Sequence, residues 1–216
     1  MPLLHIKSLD EHTKIGLWKL AEEQEELRQL LPSYVSVEER LAQTHPRRQR
    51  EWLASRVLVY QVLQGFTSVP VQLLRNQYGK PYFTDSRFHV SISHSPELAA
   101  VILSKKHEVG IDIEQVSEKA LRVQDKFLND QEKTHTLANE QNTCLYWSAK
   151  ETLYKLYSRK KLIFKENIVV GPAEAPNQLE GQVKTENFSK LYRVTFEVLH
   201  GHVLTYCIDR LSDPAT

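Results

Sequence analysis

The stretch Gly110-Ile111-Asp112-Ile113-Glu114 alternates apolar and acidic side chains. On a β-strand, successive side chains point to opposite faces, so Asp112 and Glu114 share one face and the two isoleucines share the other. The isoleucine face predicts a strand that packs on a hydrophobic core. Two neighbouring carboxylates repel each other unless a cation or a basic group lies between them. The stretch therefore predicts a cation-binding strand or, alternatively, a solvent-exposed strand end with two charges.

A second informative stretch, WSAKETLYK, runs from Trp147 to Lys155. On a helix, Trp147, Glu151 and Lys155 lie at positions i, i+4 and i+8 and share a face. Lys150 is one residue away around the helix, and we expect it to reach the same cleft. Taken alone, this spacing is also typical of an amphipathic surface helix with a Glu–Lys pair.

Together the two stretches supply three hard oxygen ligands, Asp112, Glu114 and Glu151, without histidine or cysteine. This ligand set suits Mg²⁺, which prefers carboxylates, water and substrate phosphates, and Mn²⁺ accepts the same ligands. Lys150 and Lys155 are expected to hold phosphate oxygens beside the metal. The combination indicates phosphoryl transfer, in which positioning and charge neutralisation provide most of the catalysis.

Three further segments carry polar or basic side chains that suit a phosphate. Ser93 and His94 lie where a predicted strand runs into a turn, and a purely structural turn is the alternative. Lys80 lies in a Gly-Lys-Pro turn, and Arg75 ends the strand before it. The pair Arg47-Arg48 begins a long predicted helix, where cations oppose the helix dipole and an anion would relieve them. For these two basic segments, solubility is the alternative reason.

The composition argues against several classes of protein. The 216 residues carry 28 basic and 27 acidic side chains, and this net charge of +1 gives no support to a general nucleic-acid binder. The 2 cysteines cannot build a disulfide framework or a four-cysteine zinc site. The sequence shows no signal peptide, membrane-length apolar run, P-loop or dinucleotide-binding glycine fingerprint, so we expect a cytoplasmic protein.

Hydrophobic periodicity and turn residues predict an α+β fold in two halves, residues 1–106 and 107–216, in close contact. The elements expected in the first half are strands at 3–9 and 14–20, helices at 21–31 and from Pro46 to Gly65, and strands at 71–74, 88–93 and 98–103. The elements expected in the second half are a strand at 108–113, helices at 118–138 and 143–158, and strands from Ile168 onward. Each half thus holds helices and a small sheet.

The Ser-His-Ser element at 93–95, the Gly-Ile-Asp-Ile-Glu strand and the Trp-x-x-Lys-Glu-x-x-x-Lys helix occur in this order, and the chain thereby resembles the Sfp-type 4′-phosphopantetheinyl transferases. The Gly79-Lys80-Pro81 turn and the Arg47-Arg48 helix start are also similar to that family. The resemblance implies two similar α/β halves that form a pseudo-dimer, with the active site between them. It implies a Mg²⁺-dependent transfer of the 4′-phosphopantetheine arm from coenzyme A to a serine of an apo acyl or peptidyl carrier protein, with release of adenosine 3′,5′-bisphosphate.

The resemblance also implies a role for each site residue. Asp112, Glu114 and Glu151 would ligate Mg²⁺ together with the pyrophosphate of coenzyme A. Glu151 would act as the general base toward the serine hydroxyl, and Lys155 would stabilise charge on the leaving group. The remaining contacts to the phosphates of coenzyme A would come from Lys150, Ser93, His94, Arg47, Arg48, Arg75 and Lys80.

Two other functions stay open at this point. Three carboxylates with lysines also suit a Mg²⁺-dependent phosphodiesterase, and a coenzyme A- or nucleotide-binding module without transferase activity would keep the same pocket. We expect a monomer, because two halves in one chain can complete a site. A docking face for the carrier protein is expected on the amphipathic segment after residue 118. Its predicted members are Leu121, Phe127, Leu128, Lys119, Arg122 and Lys126.

Overall fold

The computed structural model describes residues 2–159 and 162–210, apart from the side chain of Arg47. The chain forms two compact units, Met1–His107 and Glu108–Thr216, whereas the sequence prediction places the boundary between residues 106 and 107. Each unit combines helices with an antiparallel sheet. The predicted mixed α+β class is therefore confirmed.

The first unit is built on a four-stranded sheet. Its strands are β1 (Leu3–Ser8), β2 (Thr13–Lys19), β5 (His89–His94) and β6 (Leu98–Ser104), in the spatial order β1-β2-β6-β5. The elements between β2 and β5 are α1 (Gln24–Gln29), α2 (Glu38–Ala42), α3 (Pro46–Gln64), β3 (Leu73–Arg75) and β4 (Pro81–Phe83). The last two strands form a separate hairpin.

The α3 helix packs on this sheet because apolar side chains recur along it at helical spacing. Leu53, Val57 and Val62 are completely buried. Gly16 of β2 allows a close approach, since a methyl group at this position would lie 2.7 Å from Val62 Cγ2. The position of α3 against the sheet is thereby closely defined.

The second unit is built on a five-stranded sheet. Its strands are β7 (Val109–Gln115), β8 (Ile168–Pro172), β9 (Gln178–Thr185), β10 (Phe188–Leu199) and β11 (His202–Ile208), in the spatial order β7-β11-β10-β9-β8. Its helices are α4 (Glu118–Val123), α5 (Asp130–Thr136), α6 (Glu140–Tyr157) and α7 (Phe164–Asn167), with a 3₁₀ turn at Gln124–Lys126. No helix within the described ranges of either unit has the length and apolar character needed to cross a membrane.

The α6 helix lies directly against β7 and β11. Gly110 of β7 makes this possible, because a Cβ atom there would lie 2.5 Å from the backbone oxygen of Thr152. The hydroxyls of Ser148 and Thr152 lie 2.9 Å and 2.7 Å from Thr205 Oγ1. A small residue and three hydroxyl groups therefore hold the helix over the acidic strand.

The structure differs from the sequence prediction between residues 118 and 138: the sequence predicts a single helix, whereas the chain forms two short helices, α4 and α5, with a 3₁₀ turn between them. Asn129 begins the second one with a capping box: its Oδ1 accepts from Glu132 N at 2.9 Å, and Glu132 Oε2 accepts from Asn129 N at 2.8 Å. Phe127 and Leu128, which precede this cap, are only 1% and 0% exposed. Local capping and burial thus interrupt the predicted helix. Neither α2 nor β4 is predicted from the sequence.

Candidate active site

The α6 helix brings a lysine and a tryptophan onto the acidic face of β7. Lys155 Nζ donates to Asp112 Oδ1 at 2.8 Å and to the backbone oxygen of Ile111 at 3.1 Å. Trp147 Nε1 donates to Glu114 Oε1 at 2.9 Å. Trp147 and Lys155, which lie two helical turns apart on α6, therefore contact Glu114 and Asp112, which lie two residues apart on β7. The prediction that Trp147 and Lys155 share a face of the helix is therefore confirmed.

Asp112 and Glu114 of β7 and Glu151 of α6, which together we call the acidic cluster, influence each other's protonation. Burial and the charge of Asp112 raise the pKa of Glu114, and the hydrogen bond from Trp147 partly offsets this rise. Burial, followed by the charge of Asp112, raises the pKa of Glu151 to about 7, while Lys155 acts in the opposite direction. A carboxyl group with this pKa exchanges its proton near neutral pH, which a general base must do.

The cluster fits a divalent cation by its chemistry. Carboxylate oxygens are the ligands that Mg²⁺ prefers, and a cation offsets the burial and the repulsion that together raise the pKa values of Glu114 and Glu151. The ligands are not preassembled, however: within residues 2–159 and 162–210, no three Asp, Glu, His or Cys side chains are grouped so that they hold a metal ion. Lys155 also forms an ion pair with Asp112. The metal ligands therefore stay a prediction.

Lys150 does not join this cluster, and the prediction that it contacts a phosphate is not supported. Its side chain is 0% exposed. Lys150 Nζ donates to Glu132 Oε2 at 2.8 Å, to Phe127 O at 2.6 Å and to Phe164 O at 3.0 Å. An ammonium group has three hydrogens, and all three are used here. The rotation of about 100° between neighbouring helix residues turns Lys150 from the face of Glu151 into the core.

The β3–β4 hairpin of the first unit carries Arg75 and Lys80. Gly79 adopts a φ of 85°, which glycine tolerates and other residues rarely do. Arg75 Nη1 donates to Gly79 O at 2.8 Å, and Asn76 Oδ1 accepts from the backbone N–H groups of Tyr78 and Lys80 at 2.9 and 3.0 Å. The two predicted cations therefore belong to a turn that its own hydrogen bonds hold in place.

The end of β5 carries the other predicted phosphate contacts. Ser93 is 7% exposed. His94 Nδ1 lies 3.3 Å from Glu51 Oε2 of α3, so Glu51 is an ion-pair partner when the imidazole is protonated. Arg48 is exposed in the first turn of α3, and the side chain of Arg47 lies outside the described part of the chain.

Sequence reasoning misses Arg56, because it lies in an apolar part of α3 and matches no motif. Arg56 is 6% exposed, and its guanidinium carbon lies 4.5 Å from the centre of the Trp52 ring. Its only hydrogen bond within the described residues is to Ser55 Oγ, at 3.0 Å. Burial and, secondarily, the positive charges of Arg75 and Arg40 lower the pKa of Arg56 to about 9. A buried guanidinium beside two others is an environment that an anionic ligand stabilises.

The predicted docking face for a carrier protein is wrong in two of its apolar members. Phe127 and Leu128 are 1% and 0% exposed and belong to the core of the second unit. The side chains of Lys119, Arg122 and Lys126 are exposed. The surface of this segment also exposes Glu118 and Asp125, and Arg122 pairs with Glu118 at 2.6 Å, so it carries charges of both signs.

Two family models match the chain, one in each unit. The model of the 4′-phosphopantetheinyl transferase N-terminal domain matches residues 37–104, which include α3, the β3–β4 hairpin and β5. The model of the 4′-phosphopantetheinyl transferase superfamily matches residues 108–207, which include β7 and α6. Both segments that carry candidate site residues are thus similar to parts of the same family.

Two curated proteins are similar to part of the chain. The 4′-phosphopantetheinyl transferase gsp of Aneurinibacillus migulanus is 32% identical over 111 residues, which make up 48% of this chain and 46% of that protein. A putative 4′-phosphopantetheinyl transferase of Haemophilus influenzae is 42% identical over 65 residues, which make up 27% of this chain and 28% of that protein. The chain therefore spans less than half the length of each of these relatives.

Proposed function

Because this chain belongs to the 4′-phosphopantetheinyl transferase superfamily, we propose that it transfers the 4′-phosphopantetheine arm of coenzyme A to a serine hydroxyl of an apo acyl or peptidyl carrier protein. The serine oxygen forms a bond to the phosphorus that carries the pantetheine arm. The bond from this phosphorus to the bridging oxygen of the pyrophosphate breaks, and adenosine 3′,5′-bisphosphate leaves. The observation that carries the proposal is the acidic cluster of β7 and α6, in which Glu151 has a pKa of about 7.

Glu151 is the proposed base for the serine proton. Its pKa lies close to the pH at which the reaction would run, so the deprotonated form is well populated and still accepts a proton. Lys155 is the proposed partner of the leaving phosphate. Its ammonium already lies 2.8 Å from Asp112 Oδ1, beside the acidic cluster, and its side chain is 28% exposed.

We also propose that Asp112, Glu114 and Glu151 hold Mg²⁺, or Mn²⁺ in its place. The support is their ligand chemistry, together with the burial and the repulsion that raise the pKa values of Glu114 and Glu151. A bound cation would neutralise charge on the pyrophosphate. The hydrogen bond from Trp147 to Glu114 would fix the orientation of the Glu114 carboxylate, as hydrogen-bond partners of metal ligands commonly do.

The first unit is proposed to bind the phosphate groups of coenzyme A. The support is a set of cations and hydroxyls on α3, the β3–β4 turn and the end of β5, among which Arg56 is buried beside two other guanidinium groups. Guanidinium groups bind phosphate with two parallel hydrogen bonds, which makes them well suited to this task. The proposed contacts are Arg47, Arg48, Arg56, Arg75, Lys80, Ser93 and His94.

A Mg²⁺-dependent phosphodiesterase is the second candidate. The same Glu151 that would deprotonate a serine can activate a water molecule, so its pKa supports either reaction. A coenzyme A-binding module without chemistry would need the cations of the first unit but not the acidic cluster. The three functions therefore differ in their acceptor: a carrier serine, water or none.

Intact-protein mass spectrometry of a panel of apo carrier proteins tests the proposal. Each carrier would be incubated with the protein, coenzyme A and Mg²⁺, beside an EDTA sample. Glu151→Gln removes the proposed base, and Glu186→Gln makes the same change at an exposed glutamate of the same unit. We expect one phosphopantetheine arm to be added by the wild type and by Glu186→Gln, but not with EDTA or Glu151→Gln. Coenzyme A binding with no mass gain on any carrier would contradict the proposal.

A further inference from the structure

A buried ion pair between α5 and α6 lies outside the acidic cluster. Lys150 and Glu132 have side chains that are 0% and 1% exposed, and Lys150 Nζ lies 2.8 Å from Glu132 Oε2. Both charges are taken out of water, which is costly unless every remaining polar atom finds a partner. Burial lowers the pKa of Lys150, and Glu132 counteracts this effect.

Each polar atom of the pair is bound. Lys150 donates its other two hydrogens to the backbone oxygens of Phe127 and Phe164. Glu132 Oε1 accepts from the backbone N–H of Val170 at 2.8 Å, and Oε2 also accepts from that of Asn129 at 2.8 Å. The pair thus joins the segment before α5, the start of α7 and strand β8 to the centre of α6.

The two backbone oxygens that Lys150 binds belong to the residues that enclose Trp147. The Phe127 ring lies 5.0 Å from the Trp147 ring at an interplanar angle of 67°, and the Phe164 ring lies 5.4 Å from it at 23°. Trp147 in turn donates to Glu114 at 2.9 Å. A continuous series of contacts therefore runs from the buried pair, through two aromatic rings, to a carboxylate of the site.

We propose that the Glu132–Lys150 pair positions Trp147, and through it Glu114, rather than binding substrate. The effect of this pair on catalysis rests on the proposed function. Its effect on the positions of the Phe127, Trp147 and Phe164 rings does not. The proposal assigns to Lys150 a structural task in place of the predicted phosphate contact. It also assigns a task to Glu132, which belongs to none of the predicted site motifs.

Lys150→Met tests this proposal, because methionine has a side chain of similar length and removes the three donors. Lys184→Met makes the same change at an exposed lysine of β9. The protein would be labelled with 5-fluorotryptophan, and the ¹⁹F resonance of Trp147 would be assigned with Trp147→Phe. We expect Lys150→Met to shift or broaden this resonance while those of Trp18 and Trp52, in the first unit, stay unchanged. A folded Lys150→Met protein with an unmoved Trp147 resonance would overturn the proposal.

The double variant Glu132→Gln/Lys150→Met keeps the test valid if the single variant does not fold. Removing both charges avoids an uncompensated buried glutamate, so the double variant is expected to be more stable than Lys150→Met. Its Trp147 resonance is still expected to move, because the bonds to Phe127 and Phe164 remain absent. An unmoved resonance in the double variant would overturn the proposal in the same way.

Kinetics separate positioning from substrate binding. If Lys150 acts through Trp147, Lys150→Met lowers kcat about 10–100-fold, in the range seen for outer partners of metal ligands, and leaves the KM for coenzyme A within about threefold. A direct phosphate contact predicts instead a raised KM with an unmoved Trp147 resonance. Failure of the proposed function would give a different result: the wild-type protein would modify no carrier protein, and the ¹⁹F spectrum would not affect that conclusion.

Discussion

Replacement of Glu151 by glutamine is expected to stabilise the metal-free protein at pH 8 and to change its stability little at pH 5. The pKa of Glu151 rises from 4.5 to about 7 in the folded protein. Between these two values the folded protein keeps a proton that the unfolded chain has released, so stability falls as pH rises through this window. Above pH 7 the wild type must hold a charged carboxylate that is largely removed from water and lies near Asp112 and Glu114. Glutamine removes that cost.

The pKa change sets the size of the effect. Each unit corresponds to about 1.4 kcal/mol, so a rise from 4.5 to about 7 gives an upper limit of about 3.5 kcal/mol. The side chain is partly exposed, and solvent screening reduces this figure. We therefore expect a gain of about 1–2 kcal/mol at pH 8, which corresponds to an increase in Tm of several degrees for a chain of about this length.

Thermal unfolding in EDTA at pH 5 and pH 8 measures this difference. Glu186→Gln is the matched control, since it removes an exposed carboxylate from the same unit. Mg²⁺ should raise the Tm of the wild type more than that of Glu151→Gln, because a ligand that binds only the folded state stabilises it. An equal effect of Glu151→Gln at both pH values, or destabilisation at pH 8, would show that the charge on half-buried Glu151 does not limit stability.

Three further changes are predicted from contacts in the structure. Gly110→Ala places a methyl group 2.5 Å from the backbone of α6 and should cost about 1–3 kcal/mol in urea unfolding, whereas Gly171→Ala, with open space around it, should cost little. Trp147→Phe removes the donor to Glu114 and should lower kcat about tenfold in a transfer assay. Arg56→Met should raise the KM for coenzyme A about tenfold with kcat nearly unchanged, because it removes a cation that is proposed to bind substrate and transition state equally. A change confined to kcat would contradict this role of Arg56.

The elements that carry the acidic cluster could be predicted because their signals are local. The alternation in β7 and the four-residue spacing in α6 are properties of short segments, and the structure brings Asp112 to Lys155 and Glu114 to Trp147. The spacing of side chains along a strand and along a helix was enough to select the faces. That these faces meet depends on the sheet order, in which β11 lies beside β7.

Features that depend on tertiary packing were less predictable. The partner of Lys150 is Glu132, which lies 18 positions earlier in the chain, so no local spacing connects the two. One residue of helical rotation separates half-buried Glu151 from fully buried Lys150, and helical spacing alone does not indicate which of the two enters the core. The burial of Arg56 could not be predicted, because a single arginine in an apolar stretch is equally consistent with a surface position. Asn129 and Glu132, by contrast, form a capping box whose three-residue spacing is a local signal that could have located the start of α5.

The proposed function requires that the acidic cluster direct transfer to a serine, rather than support hydrolysis or binding alone. Quantifying both products in one reaction distinguishes these outcomes: phosphopantetheine gained by an apo carrier protein, by intact mass, and adenosine 3′,5′-bisphosphate released, by chromatography. We predict equal amounts of the two, and neither product with Glu151→Gln. Bisphosphate released without a gain in carrier mass would indicate a phosphodiesterase, and coenzyme A binding without either product would indicate a binding module. Either result would contradict the proposed transfer.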